Sequence, residues 1–101
     1  MHVVTVYVDE LRKWPTRIRC FKPGSCHMTA DTLEELHALA AKIGMRREWF
    51  QDHPLAPHYD LTASKRDKAL AAGAVFVSAR AQAIKRVEAR AAAASAIEDL
   101  E

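Results

Sequence analysis

Residues 26–44, CHMTADTLEELHALAAKIG, decide the fold because they join a short apolar strand to a well-delimited helix. Thr32 followed three residues later by Glu35 is the capping-box pattern, in which each side chain binds the other's backbone amide. Apolar residues then recur at helical spacing, and Gly44 marks the end of the helix. The stretch therefore predicts a strand that leads into an amphipathic helix.

Apolar segments on both sides of this unit predict the other elements. Residues 3–8 are β-branched and aromatic, which is typical of a strand buried on both faces. A second helix is predicted over residues 62–72, and AVFVS at residues 74–78 predicts another buried strand. Residues 46–50 are ambiguous between a strand and a single helical turn, although a strand fits a βαβ rhythm.

The alanine-rich C-terminal segment, residues 79–101, predicts a long third helix. Together these elements predict an α/β fold. Residues 1–78 would form a small sandwich with two short helices and a mixed or mostly parallel sheet of three to four strands. The long helix would belong to the same domain or serve as an interaction tail.

The composition of the chain argues against several classes of protein. The 101 residues are 50% hydrophobic and carry a net charge of +2, which is too little to indicate nucleic-acid binding from bulk charge alone. Two cysteines without a CxxC pair predict neither a disulfide framework nor a structural zinc site. No apolar run approaches the roughly 20 residues that span a bilayer. We therefore expect a cytoplasmic protein that does not contact the membrane.

Residues 57–66, PHYDLTASKR, concentrate polar chemistry just before the second helix. Lys65 and Arg66 would face the positive end of the helix dipole, which is unfavourable unless something compensates. A bound anion would compensate, with the hydroxyls of Thr62 and Ser64 as further ligands. The alternative is that both cations lie on a solvated face and bind nothing.

His58 and Asp60 flank Tyr59, so in an extended segment they project to one side while Tyr59 goes to the other. An imidazole that is oriented by a carboxylate is a candidate proton-transfer group. Asp9 follows the first strand, at the strand end where α/β sheets gather functional groups. We select His58, Asp60, His27 and Asp9 as candidate catalytic residues, and add Tyr59 to the ligand site. Each also has a purely structural interpretation.

Two other chemistries have less support. Ser25 or Cys26 paired with His58 would resemble a nucleophile and its base, but no recognised nucleophile motif surrounds them. A divalent cation would need the fold to gather residues that lack any standard ligand spacing. For this reason the sequence assigns no metal ligands and no cofactor, although the residues that such a site would draw on are Asp9, His27, Asp31, His58 and Asp60.

Three functional hypotheses remain. The first is binding of a phosphate-bearing ligand, such as a nucleotide or nucleic-acid end, with phosphoester hydrolysis as the reaction class to test. The second is a non-enzymatic protein that docks on a host protein or self-associates through the C-terminal helix. The third rests on residues 11–30, which hold five basic and no acidic residues, with Trp14 and Phe21 interleaved. That pattern is typical of nucleic-acid binding that weakens steeply with salt.

Two blocks, SCHMTADTLEELHALAAKIGMRREWFQ at residues 25–51 and PHYDLTASKRDKALAAGAV at residues 57–75, carry a family resemblance. Together they resemble a family of small bacterial and phage proteins known as domain of unknown function 4031. The resemblance runs from the first strand to about Val77, so the C-terminal helix falls outside it. It implies no activity, and it suggests an actinobacterial or phage setting.

Overall fold

The computed structural model describes residues 5–99, which form a four-stranded mixed sheet and three α-helices. The predicted α/β class is confirmed. Residues 3 and 4 of the predicted first strand and residues 100 and 101 of the predicted last helix lie outside the described residues. In chain order the elements are β1 (Val6–Val8), β2 (Ser25–Ala30), α1 (Leu33–Lys42), β3 (Tyr59–Thr62), α2 (Ala63–Ala71), β4 (Val75–Phe76) and α3 (Ala79–Asp99).

The strands lie in the order β3-β2-β1-β4. Strand β2 pairs antiparallel with both of its neighbours, and β4 pairs parallel with β1. In this register His27 lies opposite Asp60, and Val8 lies opposite Met28. The amide of Asp9 donates to the carbonyl of His27 over 3.2 Å, which extends the β1–β2 ladder by one residue. Asp9, His27 and Asp60 therefore stand side by side across three neighbouring strands.

The two faces of the sheet differ sharply in polarity, as alternation along the strands requires. One face buries apolar side chains against α1 and α2, which contribute Leu36, Leu39 and Ala69 to the core. The opposite face carries polar side chains, including those of His27, Thr29 and Asp60. The core-facing strand residues are Val6, Val8, Cys26, Met28, Tyr59 and Leu61. The four candidate catalytic residues selected from the sequence thus fall on the face that α1 and α2 leave uncovered.

Helix α1 begins and ends where its sequence predicts. The hydroxyl of Thr32 accepts the amide of Glu35 over 3.2 Å. The carboxylate of Glu35 instead accepts the hydroxyl of Thr5, so only half of the predicted capping box forms. At the other end Gly44 adopts a φ of +84°, and its amide donates to the carbonyl of Ala41 over 3.1 Å. A residue with a Cβ is strained at this φ, which explains the glycine.

Two predicted strands differ in the structure. Residues 46–50 contain a 3-10 turn at Arg47–Trp49, so the helical-turn alternative is the correct one. The side chains of this charged segment are largely exposed, and a strand buried in the sheet would have desolvated them. Strand β4 forms, but Val75 and Phe76 are each 50% exposed because β4 is a two-residue edge strand. The expectation that it is buried was wrong.

Helix α3 is anchored by its first turns to the polar face of the sheet. The carboxylate of Glu10, just after β1, accepts the amide of Ala79 over 2.6 Å. The hydroxyl of Thr29 donates to the side-chain carbonyl of Gln82 over 2.8 Å. The start of α3 therefore borders the region where Asp9 and His27 lie. Within residues 5–99, no helix combines the length and the apolar character that crossing a membrane requires.

Candidate functional site

Three side chains converge on the polar face of the sheet, and we call them the His–His–Asp cluster: His27 from β2, Asp60 from β3 and His58 just before β3. The Oδ1 atom of Asp60 lies 3.5 Å from Nε2 of His58 and 3.8 Å from Nε2 of His27. One ligand atom from each residue lies within 4.8 Å of the other two. Strand register brings His27 to Asp60, and alternation within the segment brings His58 to the same side.

Both histidine rings of the cluster are fixed through Nδ1. Nδ1 of His27 lies 2.8 Å from the carboxylate of Asp9, and Nδ1 of His58 lies 2.8 Å from the carbonyl oxygen of Ala56. Because an ionised carboxylate and a carbonyl only accept hydrogen bonds, each Nδ1 carries the proton. In the neutral rings the lone pair is therefore on Nε2, which faces Asp60. This is the tautomer that a metal ion requires at Nε2.

The third member, Asp60, is also held from outside. The side-chain amide of Gln51 donates to Oδ2 of Asp60, which leaves Oδ1 directed at the two histidines. Gln51 is itself positioned by two backbone hydrogen bonds with His58, of 2.9 and 3.1 Å. Sequence analysis did not select Gln51, and its only signal was the WFQ motif of the family resemblance. All three cluster residues thus have an outer partner of the kind that orients metal ligands.

Asp9 is the most buried charged group near the cluster, with 4% of its surface exposed. Burial by itself would raise the pKa of its carboxyl, but the hydrogen bonds that it accepts from the ring and backbone of His27 outweigh burial and lower that pKa. The backbone bond, from His27 N to Asp9 Oδ1, is 2.6 Å long. Asp9 is therefore a charged anchor for the His27 ring.

The charges within the cluster support one another. The hydrogen bond with Asp9 raises the pKa of His27, and the hydrogen bond with Asp60 raises the pKa of His58, in both cases against the effect of burial. The hydrogen bond with His58 is the main cause that lowers the pKa of Asp60. Without a metal, these contacts therefore favour the protonated form of both imidazoles. A metal ion would take the place of those protons.

These shifts predict how the stability of the metal-free protein depends on pH. Because the pKa values of His27 and His58 are raised in the folded state, their protonation stabilises the fold at pH values below the ordinary histidine pKa of 6.5. This contribution disappears as pH rises through the raised pKa values. Lowered aspartate pKa values stabilise the fold above 3.8, and this contribution disappears as pH falls through the lowered values. The cluster should therefore stabilise the fold most between about pH 4 and 6.5.

The check is thermal unfolding of the wild type and the His27→Gln variant in EDTA from pH 4 to 9. Taking the difference between their unfolding midpoints cancels the pH-dependent contributions that both proteins share. One of these comes from His37, because burial lowers the pKa of its imidazole. We expect this difference to be largest near pH 5–6 and to shrink toward pH 9. A difference that grows with pH would contradict the charge assignment.

Two imidazoles and a carboxylate suit a first-row divalent metal such as Zn²⁺, Mn²⁺, Fe²⁺ or Co²⁺. Bonds of about 2.1 Å in a tetrahedral site put ligand atoms roughly 3.4 Å apart. The two distances from Asp60 Oδ1, 3.5 and 3.8 Å, are close to this value, and all three ligand atoms lie within 4.8 Å of one another. Three protein ligands would leave coordination positions open for water and substrate, as in catalytic sites.

A cleft of about 210 Å³ opens beside the cluster and also receives His53 and Arg86. The ring centroid of His53 lies 6.5 Å from that of His58. Nδ1 of His53 accepts the amide of Leu55 over 3.2 Å, so the neutral ring carries its proton on Nε2. Sequence analysis did not select His53 or Arg86, because nothing in their local sequence distinguishes them from ordinary loop and helix residues.

Three residues assigned to a ligand site from the sequence lie elsewhere. Tyr59 is in the core on the opposite face of the sheet, and its hydroxyl lies 2.8 Å from Nδ1 of His37. Thr62 caps α2 by accepting the amide of Lys65 over 3.2 Å. Ser64 is exposed in the first turn of α2, which packs on the core side. The structure does not bring these three residues to the cluster.

Lys65 and Arg66 both bind backbone carbonyls. Nζ of Lys65 donates to the carbonyl of Ile43 at the end of α1 over 2.8 Å. Nε of Arg66 donates to the carbonyl of Asp9 over 3.1 Å. These contacts compensate the unfavourable position of the two cations at the start of α2, which the sequence interpretation attributed to a bound anion. Arg66 also links the site to α2, because it supports the backbone of Asp9.

Two other sequence candidates are separated from the cluster. Asp31 follows β2, which runs antiparallel to β1, so it lies at the opposite end of the sheet from Asp9 and accepts the hydroxyl of Tyr7 over 3.0 Å. The thiol of Cys26 faces the core, where burial raises its pKa to about 12. At neutral pH it is a thiol and not a thiolate, so the structure gives no support to nucleophilic catalysis by Cys26.

Comparison with known proteins yields one match. The model of a family described as "Protein of unknown function (DUF4031)" matches residues 6–90. No curated protein and no solved structure matches the chain. The matched region contains every cluster residue and its outer partners, and it extends beyond Val77 into α3, further than the sequence resemblance indicated. With most of its length covered by this match, the chain belongs to the DUF4031 family of proteins of unknown function.

Proposed function

We propose that the protein is a metal-dependent phosphoesterase whose divalent ion is bound by His27, His58 and Asp60. The observation that carries the proposal is the convergence of three ligand atoms within 4.8 Å, in a cluster whose rings and carboxylate are each oriented by an outer partner. A histidine pair that served only as a hydrogen-bonded surface feature would not need Nε2 of both rings directed at one carboxylate oxygen. Metal ligation explains this arrangement directly.

The reaction class follows from the ligand set and the surrounding charge. A divalent ion with open coordination positions would supply a water of lowered pKa and would neutralise charge on a phosphoryl oxygen. Arg86 lines the same cleft, and no described carboxylate forms an ion pair with it. Its guanidinium is therefore available to bind a phosphate oxygen in a bidentate manner. A phosphate-bearing substrate fits this combination of cations.

His53 gives the site a hydrogen-bond donor that is not a ligand. With Nδ1 occupied by the amide of Leu55, the proton of the neutral ring is on Nε2 and can form a hydrogen bond with a leaving oxygen. In this proposal the cluster positions the attacking water and the phosphate, Arg86 stabilises charge, and His53 stabilises the leaving oxygen by a hydrogen bond. The attacking water loses its proton to solvent, and the leaving oxygen takes a proton from solvent. His58, selected from the sequence as the proton-transfer group, acts as a ligand instead. We place this activity in the cytoplasm of a bacterium or of a phage-infected cell.

The test is hydrolysis of bis(p-nitrophenyl) phosphate by protein that has been stripped with EDTA and reloaded with Zn²⁺, Mn²⁺, Co²⁺ or Mg²⁺. We expect no hydrolysis in EDTA, recovery with at least one metal, and loss in Asp60→Asn. Asp31→Asn is the matched control, because it removes a carboxylate at the opposite end of the sheet. Hydrolysis that is unaffected by EDTA would contradict a metal-dependent reaction and would instead indicate that the two histidines act as an acid–base pair.

A second candidate function, self-association through α3, has one supporting observation. Ile84 is 48% exposed and Val87 is 62% exposed, one helical turn apart on a helix rich in small alanines. Such a face allows close helix contact with a second copy of the chain. Sedimentation of the wild type and of an Ile84→Glu, Val87→Glu variant tests this. A monomeric wild type at high concentration would exclude self-association and leave docking on a different protein to be tested.

A further inference from the structure

An apolar groove of about 610 Å³ opens next to Asp60. We call it the aromatic groove, and its principal lining residues are Trp14, Ile18, Phe21, Trp49 and Phe50. Trp14 and Trp49 are each 46% exposed, and Ile18 is 52% exposed. Exposed large apolar side chains that share one groove are typical of a binding surface. The chain contains two tryptophans, and both line this groove.

The aromatic rings of the groove are held in place before any ligand arrives. The indole N–H of Trp14 donates to the hydroxyl of Ser25 over 2.6 Å, which ties this loop residue to β2. Phe21 lies beside it, with 6.1 Å between the ring centroids. Across the groove, the guanidinium of Arg46 lies 5.6 Å from the ring centroid of Trp49. Each indole therefore keeps part of its ring accessible in a fixed orientation.

The two chain segments that supply the aromatic residues of the groove are basic, and we call their cations the basic rim. The segment that supplies Trp14, Ile18 and Phe21 carries five exposed cations and no carboxylate: Arg12, Lys13, Arg17, Arg19 and Lys22. Arg46 and Arg47 are exposed and precede Trp49 on the other segment that lines the groove. The carboxylates that line the groove are those of Glu48 and Asp60, and Glu48 is paired with Arg46 over 3.3 Å. The groove therefore combines an aromatic lining with neighbouring segments that carry a net positive charge.

The aromatic groove is continuous with the His–His–Asp cluster. Asp60 lines both the groove and a neighbouring pocket of about 360 Å³ that contains His27, Trp14 and Arg12. A ligand on Trp14 therefore lies next to two cluster residues. A chain of alternating bases and phosphates matches this order of stacking surface, cations and metal ligands.

We propose that the aromatic groove binds single-stranded nucleic acid, with bases stacked on Trp14 and Trp49 and the intervening phosphates held by the basic rim. Given the proposed phosphoesterase function, on which this part rests, the groove presents a phosphodiester to the His–His–Asp cluster. Double-stranded nucleic acid fits less well, because its bases are already stacked on one another. Single strands leave both faces of each base available for the indoles.

Because both tryptophans line the groove, their fluorescence reports ligand binding there. In EDTA, so that no cleavage occurs, we would titrate the full chain with a twelve-nucleotide thymidine or uridine oligomer and follow tryptophan fluorescence. We expect saturable quenching by the single strands, little quenching by the corresponding duplex, and binding that weakens steeply between 50 and 200 mM salt. The thymidine and uridine arms show whether DNA or RNA is preferred.

Variants locate the binding. Trp14→Ala and Trp49→Ala should each weaken oligomer binding roughly tenfold, measured by anisotropy of a labelled oligomer, because base stacking on an aromatic ring contributes at that level. Trp14→Phe retains an aromatic ring and should be affected less, which guards against an effect of misfolding. Leu55→Ala is the matched control, because Leu55 is 59% exposed but lies outside the groove. Binding that both tryptophan variants leave unchanged would overturn the proposal.

The outcomes separate this inference from the proposed function. Quenching without metal-dependent cleavage of the oligomer would support nucleic-acid binding in the groove and contradict the phosphoesterase function. Metal-dependent hydrolysis of bis(p-nitrophenyl) phosphate without any quenching would support the phosphoesterase function and contradict nucleic-acid binding in the groove. Quenching by duplex as strong as by single strands would contradict stacking on the indoles.

Discussion

Asp60→Asn, His58→Gln and His27→Gln should each abolish the thermal stabilisation that a bound metal gives to the wild type. Each change removes one of the three proposed metal ligands. We therefore expect metal affinity to fall by roughly 100-fold or more, at least as much as when an outer partner is lost. At a metal concentration of about 100 times the wild-type Kd, binding stabilises the protein by about 2.7 kcal/mol. A 100-fold weaker variant retains about 0.4 kcal/mol.

For a domain of this size the lost stabilisation corresponds to a decrease in Tm on the order of 10 °C. The measurement is Tm of each protein with and without added metal, so that any change in the intrinsic stability of a variant cancels. Asp31→Asn should respond to metal as the wild type does, because its carboxylate binds Tyr7 at the opposite end of the sheet. A full metal response in any of the three ligand variants would remove that residue from the site.

Asp9→Asn should weaken metal binding by roughly 10- to 100-fold, although Asp9 is not a ligand in this account. The carboxylate accepts from both the backbone amide and Nδ1 of His27, over 2.6 and 2.8 Å. Asparagine has one acceptor oxygen, and its NH₂ group can only donate. If the NH₂ group faces Nδ1, the proton of the His27 ring moves to Nε2, which can then no longer ligate.

A structural role and a positioning role for Asp9 are distinguished by NMR of the imidazole nitrogens. We expect the metal-free Asp9→Asn variant to show a lower His27 pKa, because the hydrogen bond with the carboxylate is the main cause that raises it. Its Nε2-protonated tautomer should also be more populated than in the wild type. Weaker metal binding with an unchanged His27 pKa and tautomer would mean that Asp9 acts only through the fold.

Much of the fold is predictable because its signals are local. The cap at Thr32, the glycine at position 44 and the helical spacing between them define α1 without reference to the rest of the chain. The same holds for the alternation that puts His58 and Asp60 on one side and Tyr59 on the other. The strand alternative at residues 46–50 is not observed. A segment of mixed apolar and charged residues can pair as a strand only where a sheet edge is free, and the local sequence does not show whether one is.

The site is less predictable because its geometry depends on strand register. His27 meets Asp60 only because β2 and β3 pair antiparallel in one particular register, and no local pattern specifies that register. A cluster of this kind therefore gives no standard ligand spacing in the sequence. The contacts of Lys65 and Arg66 depend on tertiary structure in the same way. The carbonyls that they bind, on Ile43 and Asp9, come from distant segments.

The most direct test of the central claim is isothermal titration of the EDTA-stripped protein with Zn²⁺ at pH 7.5, with Asp60→Asn titrated in parallel. Binding of one Zn²⁺ per chain by the wild type, at least roughly 100-fold weaker in the variant, is the predicted result. No binding by the wild type, or equal binding by both proteins, would contradict a metal site built from His27, His58 and Asp60.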